Sequence, residues 1–236
     1  QALMDFSQQS ALPAALGWLE RNGGPTVDSF RGKLIALLVL PWHIPKDGDS
    51  AGTAFTLAIL SALTGRPLRQ DFTITGAISR GGKIQSVGGI ADKVTKAQQV
   101  AKTIFLPREN ENDLLSHLLK SPDQIHFVES RRAEGHWERA LYVMPRAFTN
   151  AGLPASAVDR FVRDAKGAGL AAVYDPAMKS NEWIKIAGTP ESIESFFQSH
   201  RGVMETPPLH VLADRLEDVV ERVLGDASDT RPDPLP

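Results

Sequence analysis

The stretch FTITGAISRGGKIQSVGGIADKVTKAQQVA, residues 72–101, decides how the rest of the chain is read. FTITGAIS (72–79) alternates and is rich in β-branched residues, and KIQSV (83–87) does the same. Arg80-Gly81-Gly82 between them supplies a hairpin turn. Gly88-Gly89 then opens a helix over 90–101, with Ile90, Val94 and Ala97 on one stripe. Two strands running into a helix ask for a layered fold with both kinds of element.

The flanks extend the pattern. LPAALGWLER (12–21) has helical spacing and ends at Asn22-Gly23-Gly24-Pro25. KLIALLVL (33–40) is long enough for a strand buried on both faces, although periodicity alone leaves a helix open. After the polar loop PWHIPKDGD (41–49), SAGTAFTLAILSAL (50–63) reads as a helix closed by Gly65 and Pro67. Downstream come a strand at 103–106, a helix at 112–119 and a strand at 124–128. The alternation predicts a mixed α/β layer fold.

Past Glu129 the texture changes. Residues 131–136 read as a charged loop, 141–144 as a strand and 154–166 as an amphipathic helix, followed by strands at 171–174 and 183–186. Thr189 as N-cap, Pro190 at the first helical position and Glu191 near the positive end start a helix that runs to 199. A last strand spans 209–212. Asp214 with Glu217 resembles a capping box for a final helix, which Gly225 stops. The Pro-rich tail DASDTRPDPLP (226–236) reads as disordered.

The 236 residues are 42% apolar and 23% charged, a globular mix able to bury a core as one large domain or two small ones. Lys and Arg number 26 against 28 Asp and Glu, so no global field favours nucleic acid as a partner. The absence of cysteine excludes disulfides, thiolate metal sites and a cysteine nucleophile. The longest apolar stretch, 34–42, falls short of the ~20 residues of a membrane helix. The start QALMDF lacks the features of a signal peptide. Gln1 is no initiator, so the chain reads as part of something longer, with a cytoplasmic location as the default. Histidines 43, 117, 126, 136, 200 and 210 show no i, i+4 pairing, and no metal site is expected.

Two short features carry chemistry. Gly48-Asp49-Ser50-Ala51-Gly52 matches the G-x-S-x-G pattern of a nucleophilic serine. A serine at a helix N-terminus has backbone N–H groups beside it that can receive an oxyanion, but the same residues also suit a plain Ser N-cap. Asp175 and His210 follow in the order of a hydrolase triad, yet nothing around them marks them, and the 40–50 loop is too long for a tight elbow. His43 and Asp47 lie too close to Ser50 for the other triad order. A desolvated lysine is an alternative base. Lys93 sits one turn into its helix against the apolar stripe, where a snorkelling side chain is the competing explanation.

Five blocks in order then become recognisable: PKDGDSAG (45–52), LTGRPLRQD (63–71), TITGAIS (73–79), GKIQSVGGIADK (82–93) and FLPREN (105–110). Together they resemble the proteolytic domain of Lon proteases. The resemblance implies that family's α/β fold and a Ser-Lys dyad of Ser50 and Lys93 at the family's spacing. It also implies that Thr75 hydrogen-bonds the lysine and that Gly48, Asp49 and Ala51 line the oxyanion and substrate site. Substrates would be unfolded or flexible polypeptides, reached within a homo-oligomeric, hexamer-like ring. Departures from the family pattern are Ala77 for Glu, Arg80-Gly81-Gly82 for Leu-Arg-Gly, Asp49 for Pro and Ala91 for a basic or polar residue.

The same resemblance divides the chain into a core over 1–130 that lacks its first strands, an inserted α+β module of β-α-β-β-α order over 131–208, a closing strand and helix over 209–225, and the tail. Alternatively, 124–141 closes the core and everything later is appended. No G-x-x-x-x-G-K-[ST] occurs, so no cofactor is expected in this chain, and ATP enters only through an ATPase upstream or in a partner. The competing function is a non-proteolytic Lon-like assembly module of a larger, DNA-acting ATPase. There the dyad is typically lost, whereas Ser50 and Lys93 are both present.

Overall fold

The computed structural model describes residues 7–32, 48–120, 125–150, 152–154, 156–174, 183–200 and 206–225. The apolar run 33–40, the loop carrying His43 and Asp47, Asp175 and the tail lie outside the described residues. The helices are α1 Leu12–Arg21, α2 Gly52–Thr64, α3 Ile90–Ala97, α4 Glu111–Leu118, α5 Pro145–Asn150, α6 Ser156–Gly167, α7 Pro190–His200 and α8 Leu216–Val223. The strands are β1 Phe72–Ile74, β2 Ala77–Ile78, β3 Ile84–Gln85, β4 Thr103–Pro107, β5 His126–Arg131, β6 Trp137–Val143, β7 Ala171–Tyr174, β8 Ile184–Gly188 and β9 Leu209–Ala213. This is the mixed α/β content the alternation predicts. No described helix is long and apolar enough to cross a membrane.

The chain forms two compact units. Unit 1 takes Gln1–Gly89, Phe105–Asn110 and Ala213–Pro236, and unit 2 takes Ile90–Ile104 and Glu111–Leu212. Positions 130/131 and 208/209, expected as module edges, fall inside unit 2. There β5 and β6 pair along six residues, from His126↔Tyr142 to Arg131↔Trp137.

In unit 1, α1 buries Ala14, Ala15, Trp18 and Leu19 on one face, and α2 buries Phe55, Leu57, Ile59 and Leu60. Gly65, at φ +74°, ends α2 in the left-handed conformation a glycine adopts at no steric cost. The strand expected over 72–79 is broken at Thr75-Gly76. Gly76 turns its N–H to the Ser50 carbonyl (2.8 Å) and its carbonyl to the Thr53 N–H (3.0 Å). A Cβ there would stand 2.8 Å from Ile84 Cγ2, so only glycine fits. After the break, β2 pairs with β3 in the expected hairpin, Ala77↔Gln85 and Ile78↔Ile84.

The capping acid of α8 is Asp218, not the expected Glu217. Asp218 Oδ2 accepts the N–H groups of Asp214 and Arg215, each at 3.0 Å. Glu217 instead pairs with Arg21 at 2.9 Å.

In unit 2 the strands run in the order β9-β5-β6-β8-β7. The Leu209 N–H reaches the Lys102 carbonyl on the other side of β9 (2.9 Å). β9 and β5 are parallel and the remaining pairs antiparallel. Phe127, Leu141, Ile184 and Ile186 face a core completed by Phe161 of α6 and Ile193, Phe196 and Phe197 of α7. The core is interlocked by edge-to-face rings, Phe127–Phe197 at 5.0 Å and Phe148–Phe161 at 5.1 Å.

β6 begins at Trp137, four residues before the strand expected at 141–144, because its charges are paired. Arg139 lies opposite Glu129, whose side chain is wholly buried, and bonds it at 2.9 Å and Glu194 at 2.8 Å. α3 stops at Ala97, short of the expected 101, and residues 98–100 form a turn. α7 starts as expected, with Thr189 Oγ1 accepting the Ser192 N–H.

Candidate active site

Ser50 lies in the 3-10 turn Asp49–Ala51 that leads into α2. Gly48 enters this turn at φ +91°, a region side chains resist. Gly48 and Asp49 are exposed, and Ser50 and Ala51 are half-buried. The Ser50 carbonyl accepts the Gly76 N–H (2.8 Å) and the Thr75 hydroxyl (3.3 Å). The Gly76 carbonyl accepts both the N–H (3.0 Å) and the hydroxyl (2.9 Å) of Thr53. Four hydrogen bonds thus bolt the start of α2 to the break in the strand. The interruption at Thr75-Gly76 is therefore what fixes the serine backbone, with the side chain at the end of a helix where N–H groups lack intrahelical acceptors. Thr75 is half-buried beside Ser50.

Lys93 lies in unit 2, whereas Ser50, Thr75, Gly48, Asp49 and Ala51 lie in unit 1. It is half-buried on α3, next to Val94, which is 0% exposed, and Ile90, at 4%. The apolar stripe expected for this helix is real, and Lys93 flanks it. Thr95 Oγ1 lies 3.2 Å from His117 Nε2 on α4.

The block FLPREN ends on two residues whose contacts its own pattern does not show. Asn110, 3% exposed, accepts the Val87 N–H at Oδ1 (2.9 Å) and donates Nδ2 to the Val87 carbonyl (3.1 Å). Glu109 accepts the Ser86 N–H (3.0 Å) and Lys83 Nζ (2.7 Å). That bond raises the lysine pKa and, with the Ser86 amide, lowers that of the glutamate. Side chains rather than a neighbouring strand therefore hold residues 86–87, just before Gly88-Gly89.

His210, the triad candidate, is 0% exposed. Burial pushes its imidazole down to about 4, opposed by the Phe127 carbonyl and aided by the nearby His117. Its Nδ1 lies 3.1 Å from that carbonyl and its Nε2 lies 3.3 Å from Gln98 Nε2. Both ring nitrogens are engaged, so this histidine is not a base for Ser50. Among the described residues, no three histidines or carboxylates gather to hold a metal ion.

The family model of the Lon protease (S16) C-terminal proteolytic domain matches residues 4–137, more than half of the chain. The Lon protease of Finegoldia magna is 36% identical over 116 residues, 48% of this chain and 15% of that protein. The mitochondrial Lon protease homolog of Caenorhabditis elegans is 41% identical over 129 residues, 53% of this chain and 13% of that protein. The mitochondrial homolog of Homo sapiens is 44% identical over 91 residues, 37% of this chain and 10% of that protein. The matched region is thus a small part of each of these relatives. The chain belongs to the family of the Lon protease (S16) C-terminal proteolytic domain.

Proposed function

We propose that this domain is a serine endopeptidase that cleaves unfolded or flexible polypeptides with Ser50 as nucleophile and Lys93 as general base. Neutral Lys93 takes the Ser50 proton as the hydroxyl oxygen attacks the peptide carbonyl. Backbone N–H groups of the 48–51 turn receive the oxyanion. The lysine then gives its proton to the leaving amine, and a water, deprotonated by the same lysine, releases the acyl group. Thr75 orients Lys93. The observation that carries the reading is the four-bond attachment of the Ser50 turn to Thr75-Gly76, which preorganises the nucleophile before substrate arrives.

On this reading the domain needs no cofactor of its own, and ATP-driven unfolding belongs to an ATPase upstream or in a partner. Copies of the domain would form a ring around the sites. The module over 131–208 would be an insertion, a reading supported by β9, which runs between β5 and the Lys102 edge as a returning strand would. The test is casein cleavage by the wild type, Ser50→Ala and Lys93→Ala, with labelling by a serine-reactive inhibitor. Both variants should be inactive, and the label should vanish in Ser50→Ala. Undiminished cleavage by either variant would overturn the proposal.

A further inference from the structure

His210 is a buried polar group that the proposed chemistry leaves unused, and its contacts say what it does instead. The Phe127 carbonyl can only accept, so His210 Nδ1 carries the proton and donates at 3.1 Å. With the ring neutral, Nε2 is an acceptor. The side-chain nitrogen of Gln98 can only donate, and it lies 3.3 Å away. The imidazole therefore links the β5 backbone to the residue that closes α3, the helix of Lys93.

Helix α3 needs such a link. It has only eight residues, and its buried side chains are Ile90 and Val94, a single i, i+4 pair. Apolar contact along one line is non-directional, and the contact of Thr95 Oγ1 with His117 Nε2 (3.2 Å) is exposed, where water competes for it, so neither holds the roll of the helix firmly. Gln98 continues the helix, its N–H donating to the Val94 carbonyl at 2.9 Å. At about 3.6 residues per turn, Gln98 sits over Val94, and Lys93 lies roughly 140° around the axis from it. A directional bond at Gln98 thus fixes the roll of the helix and the direction of Lys93.

We propose that the Gln98–His210 hydrogen bond is a positioning contact that sets the roll of α3 and so aims Lys93. The proposal rests on the reading of Lys93 as general base. A reacting group displaced by about an ångström can lose on the order of a hundredfold in rate.

The test is Gln98→Met in the full chain, which keeps length and volume but removes the donor. The expected result is a fall of at least about tenfold in kcat for casein cleavage with KM little changed. The acid limb of the rate profile should also move, because that limb reports the lysine and its surroundings. Thermal unfolding confirms that the variant is folded. Unchanged kcat would overturn the proposal, and so would a lower kcat with an unmoved acid limb, which marks a structural contact. Ser50→Ala and Lys93→Ala in the same assay separate the two failures. If both are inactive while Gln98→Met cleaves normally, only the positioning contact is lost. If either cleaves, the dyad itself is wrong.

Discussion

Each of the two units has its own means of internal cohesion. In unit 1, strands of two or three residues are tied by bonds between distant segments. Gly76 joins Ser50 and Thr53, Ile84 reaches Asp214, Leu216 reaches Gly82, and Gly225 reaches Pro67. Unit 2 is a continuous sheet with helices over an aromatic core. A unit built on directional bonds fixes individual backbone atoms, as a nucleophile requires. A unit built on apolar volume supplies stability without specifying any one atom as tightly.

The largest expected break in this contrast is Phe197→Ala. The ring is fully buried and packs edge-on against Phe127. Its loss should cost about 3–5 kcal/mol, read as a shift in the urea midpoint. A loss under about 1 kcal/mol would show that unit 2 does not depend on that core.

The same contrast explains what the sequence made legible. Elements whose signal lies within their own residues were read correctly: α1 from its spacing and Pro-Gly stop, α7 from Thr189-Pro190, and the β2–β3 hairpin from its glycine turn. Elements whose form depends on distant partners were not. The break at Gly76 needs Ser50 and Ile84, and residues 137–140 carry no strand signal of their own, Arg139 being held there by Glu129 and Glu194. For the proposed site, the motif blocks point to Ser50, Thr75 and Lys93 by resemblance. Local pattern could not reveal the bonds of Asn110 to Val87, 23 positions away, or of Gln98 to His210, 112 away.

An intermediate effect should come from acid, acting on one of the polar groups buried in the apolar unit. His210 is held down to about 4 from its ordinary 6.5, chiefly by burial. Between those values the unfolded chain binds a proton that the folded chain refuses. Stability from this group is therefore full above about pH 6.5 and lost as pH falls toward 4. The span corresponds to ~3 kcal/mol. His117 opposes the charge, and Gln98 offers it a donor where an acceptor is needed. The stability gap between wild type and His210→Asn should narrow from pH 7 to pH 4.5 in urea titrations. A gap that stays constant would show that the ring is charged when folded.

The smallest effects test unit 1, where Asn110 and Glu109 hold neighbouring residues by different physics. Asn110→Leu leaves the Val87 N–H and carbonyl without these partners and adds no charge, and should cost about 2 kcal/mol, independent of salt. The Lys83–Glu109 pair is exposed, its side chains 53% and 40% accessible. The lowered glutamate pKa contributes above its ordinary 4.5 and is lost as pH falls through the folded value. The raised lysine pKa contributes below 10.5 and is lost as pH rises through the folded value. The pair therefore acts over the whole neutral range, but solvent and salt screen it. Glu109→Gln should be only slightly less stable than wild type in low salt and indistinguishable from it in 1 M salt, whereas Asn110→Leu keeps its full deficit. A salt-sensitive Asn110→Leu would mean that unit 1 is held by charge rather than by buried, directional bonds.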